Sequence, residues 1–536
     1  MRRREFVAGT LIGLAVQPAL AAPATGIIVE VDLNGQTYRY DGATGVDLGA
    51  YSDPQGKFVQ DCVRVNQPQL PLSVFIRPDR GSDRLEVVFE LGRSWTNEEP
   101  KNLGQYRARI IKGSTVLATV NVPAHYWFSR WRWQSAPRPV RATPAQLMDQ
   151  GLVPRLSDSL HPFTELYRKA ETYEPMGLAG LAAYMPTTGE RPEIGLVTEA
   201  QAQYLCLQNG AALATLLAQA EAAGTEPWNV RDEKTNAPLD LFAYPKVTVY
   251  GPKAGQPYIR RAETPVNCDD AHQPNLAYVP FLLTGDPYYL EQMQFMAQYN
   301  VLYRPWDYRY RTTQVRGEAW SLRSWATVAK TTPASVPKWL LPQAYWQRLL
   351  DTYFDWYTRN FVNGKQAVQT VFRTTEEDFG GNNLGFSEHT YIQTWQDEFM
   401  AAVMGWMVLM GHSKWKPVFE WKVGSTIART NGTSGWPRSY CTTIVMAMRS
   451  SAAVPWLQNW KQAWDVTAPI LKYTVKDPDQ LELDESGNYF PYTRGVLVLA
   501  KHLEIPGADP CVSWADGQLR RLLAAKKPFP YKWALV

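Results

Sequence analysis

The chain has 536 residues, more than one ordinary domain requires, and its 45% hydrophobic and 20% charged residues exclude a disordered protein. Its 55 Lys and Arg against 51 Asp and Glu leave a formal net charge of +4, too small for a protein that binds nucleic acid by neutralising phosphates. The 21 Trp and 28 Tyr outnumber the 18 Phe, and rings with a polar group suit half-solvated surfaces that hold sugar-like ligands.

The first 22 residues have the pattern of an export signal. Three arginines at 2–4 precede a short apolar run that ends at Val16, and small residues precede Pro23. This pattern is typical of a cleaved secretory signal peptide, and Arg3–Val7 resembles the twin-arginine type. We therefore expect a periplasmic or secreted protein without stable membrane insertion after cleavage, with an uncleaved N-terminal anchor as the alternative.

Residues 23–135 have the pattern of an antiparallel β-sandwich. Short β-branched runs alternate with Gly, Asn, Asp and Pro turns, and four runs are clear strand candidates: Ile27–Val31, Leu72–Ile76, Leu85–Phe89 and Thr115–Val120. The segment His125–Trp133 is dense in aromatic and basic side chains. We favour a contact between domains for this segment, and a sugar-stacking strip is the alternative. A connecting segment, Pro-rich at its start, follows over residues 136–190.

The sequence predicts no metal site and no cofactor. Its five cysteines are scattered without a C-x-x-C pair, which indicates neither a zinc site nor a disulfide framework: Cys62, Cys206, Cys268, Cys441 and Cys511. We expect most of them to be buried small side chains, with one or two bridges as the alternative in an oxidising compartment. Nucleotide-binding glycine motifs, nucleophile elbows and H-E-x-x-H are absent from the sequence.

From residue 191 to 536 the hydrophobic period becomes helical, and helices recur in pairs joined by short turns. Four pairs are clear: Leu276–Leu283 with Tyr288–Leu302, Ala319–Ala329 with Trp339–Phe361, Thr390–Met410 with Val418–Ala428, and Gly495–Leu503 with Cys511–Ala525. Less certain pairs lie near 196–222 and 440–466. Helical hairpins must stack on their neighbours, and the unequal insertions favour a closed ring of about six hairpins over a regular solenoid.

In such a ring the first helices of the hairpins begin on one rim, where polar and aromatic residues recur. Helix capping explains some Asp, Asn and Thr there, but not the repeated His, Arg, Tyr and Trp. We therefore expect a shared polar cleft that binds substrate through nine residues: His272, Asn275, Arg316, Trp320, Asn383, Trp395, Arg438, Tyr440 and Tyr492. Asp269, Asp270 and His272 also suggest a metal site, but caps are the favoured interpretation.

A β-sandwich followed by helical hairpins resembles the α/α-toroid carbohydrate-active enzymes, namely glycoside hydrolases, phosphorylases and polysaccharide lyases. The resemblance implies a mainly α, multidomain fold with an (α/α)6-type toroid as the catalytic domain, and a polysaccharide or oligosaccharide substrate on its rim. The segments Ala271–Tyr278 and Gln314–Arg323 also resemble uncharacterised proteobacterial and phage-encoded proteins.

Two reactions suit the rim residues. Hydrolysis needs two carboxyl groups, and among Asp269, Asp270, Glu318, Asp397 and Glu398 we choose Asp270 with Glu318. β-Elimination on a uronate polymer needs a base, an acid and a group that neutralises the substrate carboxylate, which His389, Tyr391, Asn383, Arg316 and His272 would supply.

Two signals favour different reactions: the His, Tyr, Asn and Arg residues of the rim favour elimination, and the order of the two domains favours hydrolysis. In the toroid families, uronate lyases usually carry the sandwich after the helices, whereas several hydrolases carry it before them, as this chain does. We therefore place a glycoside hydrolase first and a lyase second. A non-catalytic glycan-binding, envelope or virion-associated protein is the further alternative.

Overall fold

The structure, a computed structural model, describes residues 26–92, 95, 99–160, 172–186, 191–249, 257–303, 314–363, 390–449, 454–482, 489–525 and 529–536. The expected signal peptide over residues 1–22 and the candidate residues Asn383 and His389 lie outside these ranges. Across the part of the chain that is described, no helix has both the length and the apolar character needed to cross a membrane.

The N-terminal region is an antiparallel β-sheet region. Its strands are β1 (Ile27–Leu33), β2 (Gln36–Asp41), β3 (Val46–Ser52), β4 (Val59–Gln67), β5 (Leu70–Pro78), β6 (Leu85–Leu91), β7 (Tyr106–Lys112), β8 (Thr115–Val122) and β9 (Arg130–Gln134). They form a four-stranded sheet in the order β2-β1-β7-β8 and a five-stranded sheet in the order β3-β4-β5-β6-β9. The four strand candidates lie in β1, β5, β6 and β8, so these predictions are confirmed.

Local sequence explains much of this region. β1 alternates, with Val29 and Val31 buried and the residues between them half-buried, as a strand with one core face requires. Asn34 and Gly35 between β1 and β2 have φ values of 52° and 80°, the conformation that a two-residue hairpin turn demands. β6, by contrast, is buried along its whole length, which indicates that both faces of the five-stranded sheet are covered.

The described residues after the sheets form twelve helices and a small two-stranded sheet. The helices are α1 (Pro144–Asp149), α2 (Glu199–Leu207), α3 (Gly210–Ala222), α4 (Tyr278–Thr284), α5 (Pro287–Leu302), α6 (Val315–Thr331), α7 (Gln343–Tyr357), α8 (Thr394–Leu409), α9 (Lys416–Thr430), α10 (Trp460–Leu471), α11 (Phe490–His502) and α12 (Ala508–Ala524). Strands β10 (Thr390–Ile392) and β11 (Met446–Arg449) pair antiparallel.

Five of the expected hairpins are present. They are the pairs α2–α3, α4–α5, α6–α7, α8–α9 and α11–α12, and the two helices of each pair are in contact. The expected pair near 440–466 is wrong, because β11 occupies residues 446–449 and only α10 follows. Helix α8 also begins later than expected, since residues 390–392 pair with β11. The apolar run at 445–448 is too short to be assigned to a helix or a strand from its period alone.

The helices contact one another in a closed circuit. α5 packs on α6, α6 on α8, and α8 on α11. α11 contacts the C-terminal turn Tyr531–Trp533, which packs on α2, and α2 leads through α3 and α4 back to α5. Glu199 at the start of α2 accepts hydrogen bonds from the backbone N–H groups of Tyr531 at 2.9 Å and Lys532 at 3.1 Å. The C-terminal residues therefore tie the last helices to the first.

A buried ionic network joins the five-stranded sheet to α5. Glu291 of α5 is fully buried and accepts hydrogen bonds from Arg77 at 2.8 Å, Arg130 at 2.5 Å and Arg231 at 2.7 Å. Burial opposes the ionisation of Glu291, but the charges of Arg130, Arg77 and Arg231 outweigh it and hold the pKa of this carboxyl well below its usual range. The network therefore contains an ionised glutamate that three guanidinium groups share.

The aromatic and basic segment His125–Trp133 supplies part of this contact. Trp127 and Trp131 are buried, and Arg132 donates to Asp286 at the start of α5 at 2.8 Å. The Trp131 ring stacks on Phe89 with 4.1 Å between the ring centres. The favoured interpretation of the segment, a contact between the sheets and the helices, is confirmed.

Cysteines play a packing role. All five are unpaired, and four of them are buried, the exception being the half-buried Cys206. Burial is also the largest cause that raises the pKa of Cys62 to about 11 and that of Cys441 to about 12. The expectation that most cysteines are buried small side chains is confirmed.

Candidate active site

A cluster of buried ionisable groups surrounds the loop that precedes α4. This loop, residues 268–276, is here called the 268–276 loop. Asp269 caps the turn by accepting a hydrogen bond from the backbone N–H of His272 at 2.9 Å, and its second oxygen lies 2.7 Å from His272 Nδ1. Both side chains are buried. His272 Nε2 is buried and has no hydrogen-bond partner within the described part of the chain. Asp269 thus orients the imidazole and leaves one ring nitrogen unengaged.

Glu226 lies in the segment between α3 and α4 and is fully buried. Among the described residues neither of its carboxyl oxygens has a hydrogen-bond partner. Burial raises the pKa of Glu226 to about 8, with the Arg191 charge acting weakly in the opposite direction. At neutral pH this side chain is therefore a neutral carboxylic acid, which is the form that a proton donor needs.

Arg191 connects Glu226 with the 268–276 loop. Its Nη2 donates to the backbone carbonyl of His272 at 3.0 Å. Burial lowers the pKa of Arg191, while the charges of Glu193, Asp269 and Glu226 raise it, so these three carboxyl groups surround one guanidinium. The pKa of Cys268 is raised by burial and then by Glu226, which places this residue in the same cluster.

Two further contacts hold the 268–276 loop in place. Arg323 of α6 is fully buried and donates to the backbone carbonyls of Gln273 at 2.6 Å and Gly195. Burial lowers the pKa of Arg323 to about 9, so it remains charged at neutral pH. Gln201 of α2 donates to the backbone carbonyl of Asn275 at 2.7 Å. Helices α2 and α6 therefore hold the loop through its backbone carbonyls. These contacts do not involve the Asp269 and His272 side chains.

A cavity of about 430 Å³ lies beside this cluster. Its walls include Pro227, which follows Glu226, and Asn267, which precedes Cys268. The other lining residues form one stretch of chain: Tyr258, Arg261, Ala262, Glu263, Thr264 and Val266. Asp270 lies on the 268–276 loop, and the charges of Asp269 and Asp270 both contribute, after burial, to raising the pKa of Tyr303. The cavity thus adjoins the chain segments that carry Glu226 and the 268–276 loop, while the ionisable side chains of the cluster lie behind its wall.

A second group of predicted residues converges on Phe399. Trp320 of α6, Trp395 of α8 and Tyr492 of α11 lie with ring centres 4.8, 5.6 and 4.7 Å from that of Phe399. The Arg316 guanidinium lies 5.3 Å from the centre of the Trp395 ring. The structure therefore brings together four of the predicted substrate-binding residues, all on helices of the closed circuit. Trp320, Trp395 and Tyr492 are buried in the main hydrophobic core, and their role in binding stays a prediction.

The carboxylates on the helices have partners of their own. Glu318 in the first turn of α6 accepts a hydrogen bond from the Tyr357 hydroxyl at 2.6 Å. Asp397 forms a buried ion pair with Lys422 of α9. Burial raises the pKa of Glu398 to about 7, against the opposing charge of Arg429, with which it pairs. Asp397 and Glu398 hence tie α8 to α9, and the catalytic roles of Glu318 and Asp397 stay predictions.

Three predicted residues lie around β10, β11 and the loops beside α10. Tyr391 packs with Val445 and Ala447 in a small cluster separate from the main core. The Tyr440 ring stacks on Tyr473 with 4.3 Å between their centres. Arg438 pairs with Asp479 at 2.8 Å. Each of these side chains has contacts within this part of the molecule.

Glu226 and Arg323 belong to the site but were not among the predicted residues. Glu226 lies in a long insertion without hydrophobic periodicity. In such a segment the sequence cannot distinguish a buried carboxylate from a solvated one. Arg323 lies at the end of the segment Gln314–Arg323 noted in the sequence, four residues after Ala319, but its burial shows only in the fold. Among the residues that the structure describes, no group of three or more His, Cys, Asp or Glu side chains is placed to hold a metal ion.

No protein-family model, no curated protein and no solved structure matches this chain. Any family or activity of the chain is therefore a proposal from its residues and their geometry.

The buried Glu226 carboxyl predicts a loss of stability as pH rises. Burial raises its pKa from 4.5 to about 8 in the folded protein, so folding favours the protonated form. Its contribution is complete below pH 4.5 and is lost as pH rises to about 8, which lowers the free energy of unfolding by about 4 kcal/mol. Urea denaturation at pH 5 and pH 8.5 measures this change.

The matched variant is Glu226→Gln, which stays neutral at both pH values. We expect it to lose most of the decrease between pH 5 and pH 8.5, while Glu398 contributes equally in both proteins. An unchanged slope would show that Glu226 titrates normally.

Proposed function

We propose that the protein is an exported glycan-degrading enzyme, in the first place a glycoside hydrolase. The observation that carries this proposal is the buried Glu226 carboxyl, which has no hydrogen-bond partner among the described residues. Arg191 links it to the loop of the Asp269–His272 pair, and the next residue, Pro227, lines a cavity. Hydrolysis of a glycosidic bond requires a carboxylic acid that is still protonated at working pH and a second, ionised carboxylate. A site with carboxyl groups in such different environments suits this division of roles.

In this proposal Glu226 protonates the leaving oxygen and Asp270 is the second carboxylate. The sequence favours Asp270 with Glu318, and in this proposal Glu226 replaces Glu318 in that pair. Arg191 holds the carboxyl cluster together by its position between Glu226 and the backbone of His272. Asp269 and His272 position the loop that carries Asp270.

The proposed architecture is an N-terminal β-sandwich followed by an (α/α)6-type toroid. Two antiparallel sheets and the closed circuit of helix contacts support it, as does the presence of five helical hairpins. The sixth element is irregular, since β11 and α10 stand where a hairpin was expected. The glycan substrate class rests on this architecture.

A polysaccharide lyase remains the second candidate, because one observation favours it. The Asp269–His272 pair leaves Nε2 of the imidazole unengaged within the described residues, as a general base requires. In that reaction His272 would take the proton beside a uronate carboxylate.

The test is a panel of neutral and uronate-containing polysaccharides incubated with the mature protein. New reducing ends without ultraviolet absorbance would support hydrolysis. Absorbance from unsaturated ends together with reducing ends would replace hydrolysis by elimination. The absence of both signals across the panel would contradict an enzyme and favour a glycan-binding or envelope protein.

A further inference from the structure

Arg261 is a half-buried arginine that lines the cavity beside the candidate site. It lines both the cavity of about 430 Å³ and a neighbouring cavity of about 180 Å³, and Tyr258 is the other residue common to the two. The two cavities therefore form one groove with Arg261 at its middle. The groove runs from Pro227 and Asn267, next to the proposed catalytic cluster, toward Glu99 and Pro100 of the sheet region.

The hydrogen bonds of Arg261 leave one edge of its guanidinium open. Nη1 donates to the Tyr299 hydroxyl at 2.7 Å, and Tyr299 in turn donates to the backbone carbonyl of Cys268 at 3.4 Å. This chain anchors Arg261 to the 268–276 loop. Nε and Nη2, the side-on edge that binds a carboxylate in two parallel hydrogen bonds, have no partner among the described residues.

Buried arginines in the described ranges pair with carboxylates, except for Arg323, whose guanidinium donates to two backbone carbonyls instead. Arg77, Arg132 and Arg231 each pair with glutamates. Arg261 is half-buried and forms no ion pair with any residue in the described ranges. A guanidinium partly kept out of water is unfavourable unless acceptors engage its donors, and an anion in the groove would engage those of Arg261.

The acidic groups of the groove do not supply that counter-charge. Glu99 is engaged by Arg260, with 2.6 Å between the charged atoms. Glu263 lines the larger cavity but is exposed, so water and salt screen its charge. The Arg261 guanidinium is half-buried, so its attraction for an anion in the groove is screened less than the repulsion from the exposed Glu263.

We propose that Arg261 binds the carboxylate of an acidic sugar in this groove, so that the substrate is a uronate-containing glycan. This inference rests on the proposed function, because it names the substrate class of the same site. The planar carboxylate of a uronic acid matches the free Nε–Nη2 edge, and Tyr258 on the groove wall offers a ring for the adjoining sugar face.

The test measures binding by calorimetry to oligouronates of galacturonate, mannuronate and glucuronate, to their methyl esters and to a sulfated neutral oligosaccharide. We expect at least one oligouronate to bind, and its methyl ester to bind at least tenfold more weakly. Tighter binding of the sulfated ligand than of every oligouronate, or no binding by any oligouronate, would overturn the proposal. The esters keep the sugar and remove only the charge, so they isolate the carboxylate.

The variants use the full mature protein. Arg261→Gln should weaken oligouronate binding at least tenfold, and Arg261→Lys, which keeps the charge but loses the two parallel donors, should show a smaller loss. Arg155→Gln is the matched control, since it removes one charge from an exposed pair with Asp149. It should bind within twofold of the wild type. Equal affinity of Arg261→Gln and the wild type would overturn the proposal.

The outcomes separate this inference from the proposed function. If the protein cleaves neutral glycans and Arg261→Gln has no effect, the hydrolase proposal is supported and the proposal of an acidic substrate is contradicted. Oligouronate binding that depends on Arg261, without cleavage of any glycan, would leave the binding site and remove the enzyme. If Arg261→Gln unfolds at a lower temperature than the wild type, its binding data are set aside. The proposal is then tested only by comparing the affinity of the wild-type protein for each oligouronate with its affinity for the methyl ester.

Discussion

Replacing Glu226 by glutamine is expected to lower kcat on the cleaved glycan about 10³-fold, within the range by which general acids accelerate such reactions. Glutamine has the same shape but no acidic proton, so the sugar leaving group must depart without protonation. Substrate binding should change little, because neither Glu226 oxygen makes a hydrogen bond that the amide would break within the described residues. Kinetics on the glycan identified in the panel provide the measurement.

An activated substrate makes the test of Glu226 specific. A glycoside whose leaving group is a good anion needs no protonation, so Glu226→Gln should lose at most about tenfold on it. The wild-type rate on the natural glycan should also fall above pH 8, because the pKa of Glu226 is raised to about 8 by burial. The exposed Glu420 of α9 offers a control, and Glu420→Gln should be as active as the wild type.

Equal turnover of Glu226→Gln and the wild type would remove Glu226 from the mechanism. A loss caused by Glu318→Gln alone would instead restore the pair chosen from the sequence, Asp270 with Glu318. An equal loss on natural and activated substrates would show that Glu226 acts on the structure of the site rather than as an acid.

The largest effect on stability is expected from Glu291→Ala, which should lower the free energy of unfolding by about 3 to 5 kcal/mol. The change leaves Arg77, Arg130 and Arg231 buried with one shared carboxylate fewer. These guanidinium groups cannot be rehydrated, because their side chains are at most 2% exposed. Urea denaturation followed by tryptophan fluorescence measures the loss.

The control for Glu291 is Glu420→Ala, which also removes a helical glutamate. Glu420 faces Lys416 across 4.0 Å at the surface, and such exposed pairs contribute at most about 1 kcal/mol. A similar small effect of both substitutions would contradict the buried network. The network also predicts acid sensitivity: since the pKa of Glu291 is held below its usual range, its contribution is present at neutral pH and is lost as pH falls toward that lowered pKa.

Local sequence signals account for the parts of the fold that were predicted correctly. The turn between α4 and α5 is an example: Gly285 has a φ of 66° and ends α4, while Asp286 caps α5 and Pro287 occupies its first turn. These residues act on neighbours within about four positions, so the sequence itself indicates where each helix begins and ends. The same holds for the alternation of β1.

Other elements depended on partners far away in the chain. The sequence does not predict β9 as a strand, because its partner β6 lies about 40 residues earlier in the chain. Its Arg and Trp side chains contact both the sheets and the helices. The sequence pattern predicts a helical pair around β11, and only its pairing with residues 390–392 makes it a strand. Short apolar or mixed runs take the structure that their surroundings offer.

The sequence by itself determined the order of a strand region before a helical one, most of the helical hairpins, and the carboxylate-rich loop at Asp269 and Asp270. Only the tertiary structure decided that Glu226 is a buried acid, that Arg261 faces a groove, and that Glu291 is shared by three arginines. The reason is physical. Caps and turns are set by neighbouring residues, whereas the charge state of a side chain depends on the water it loses and on the charges that packing brings to it from elsewhere in the chain.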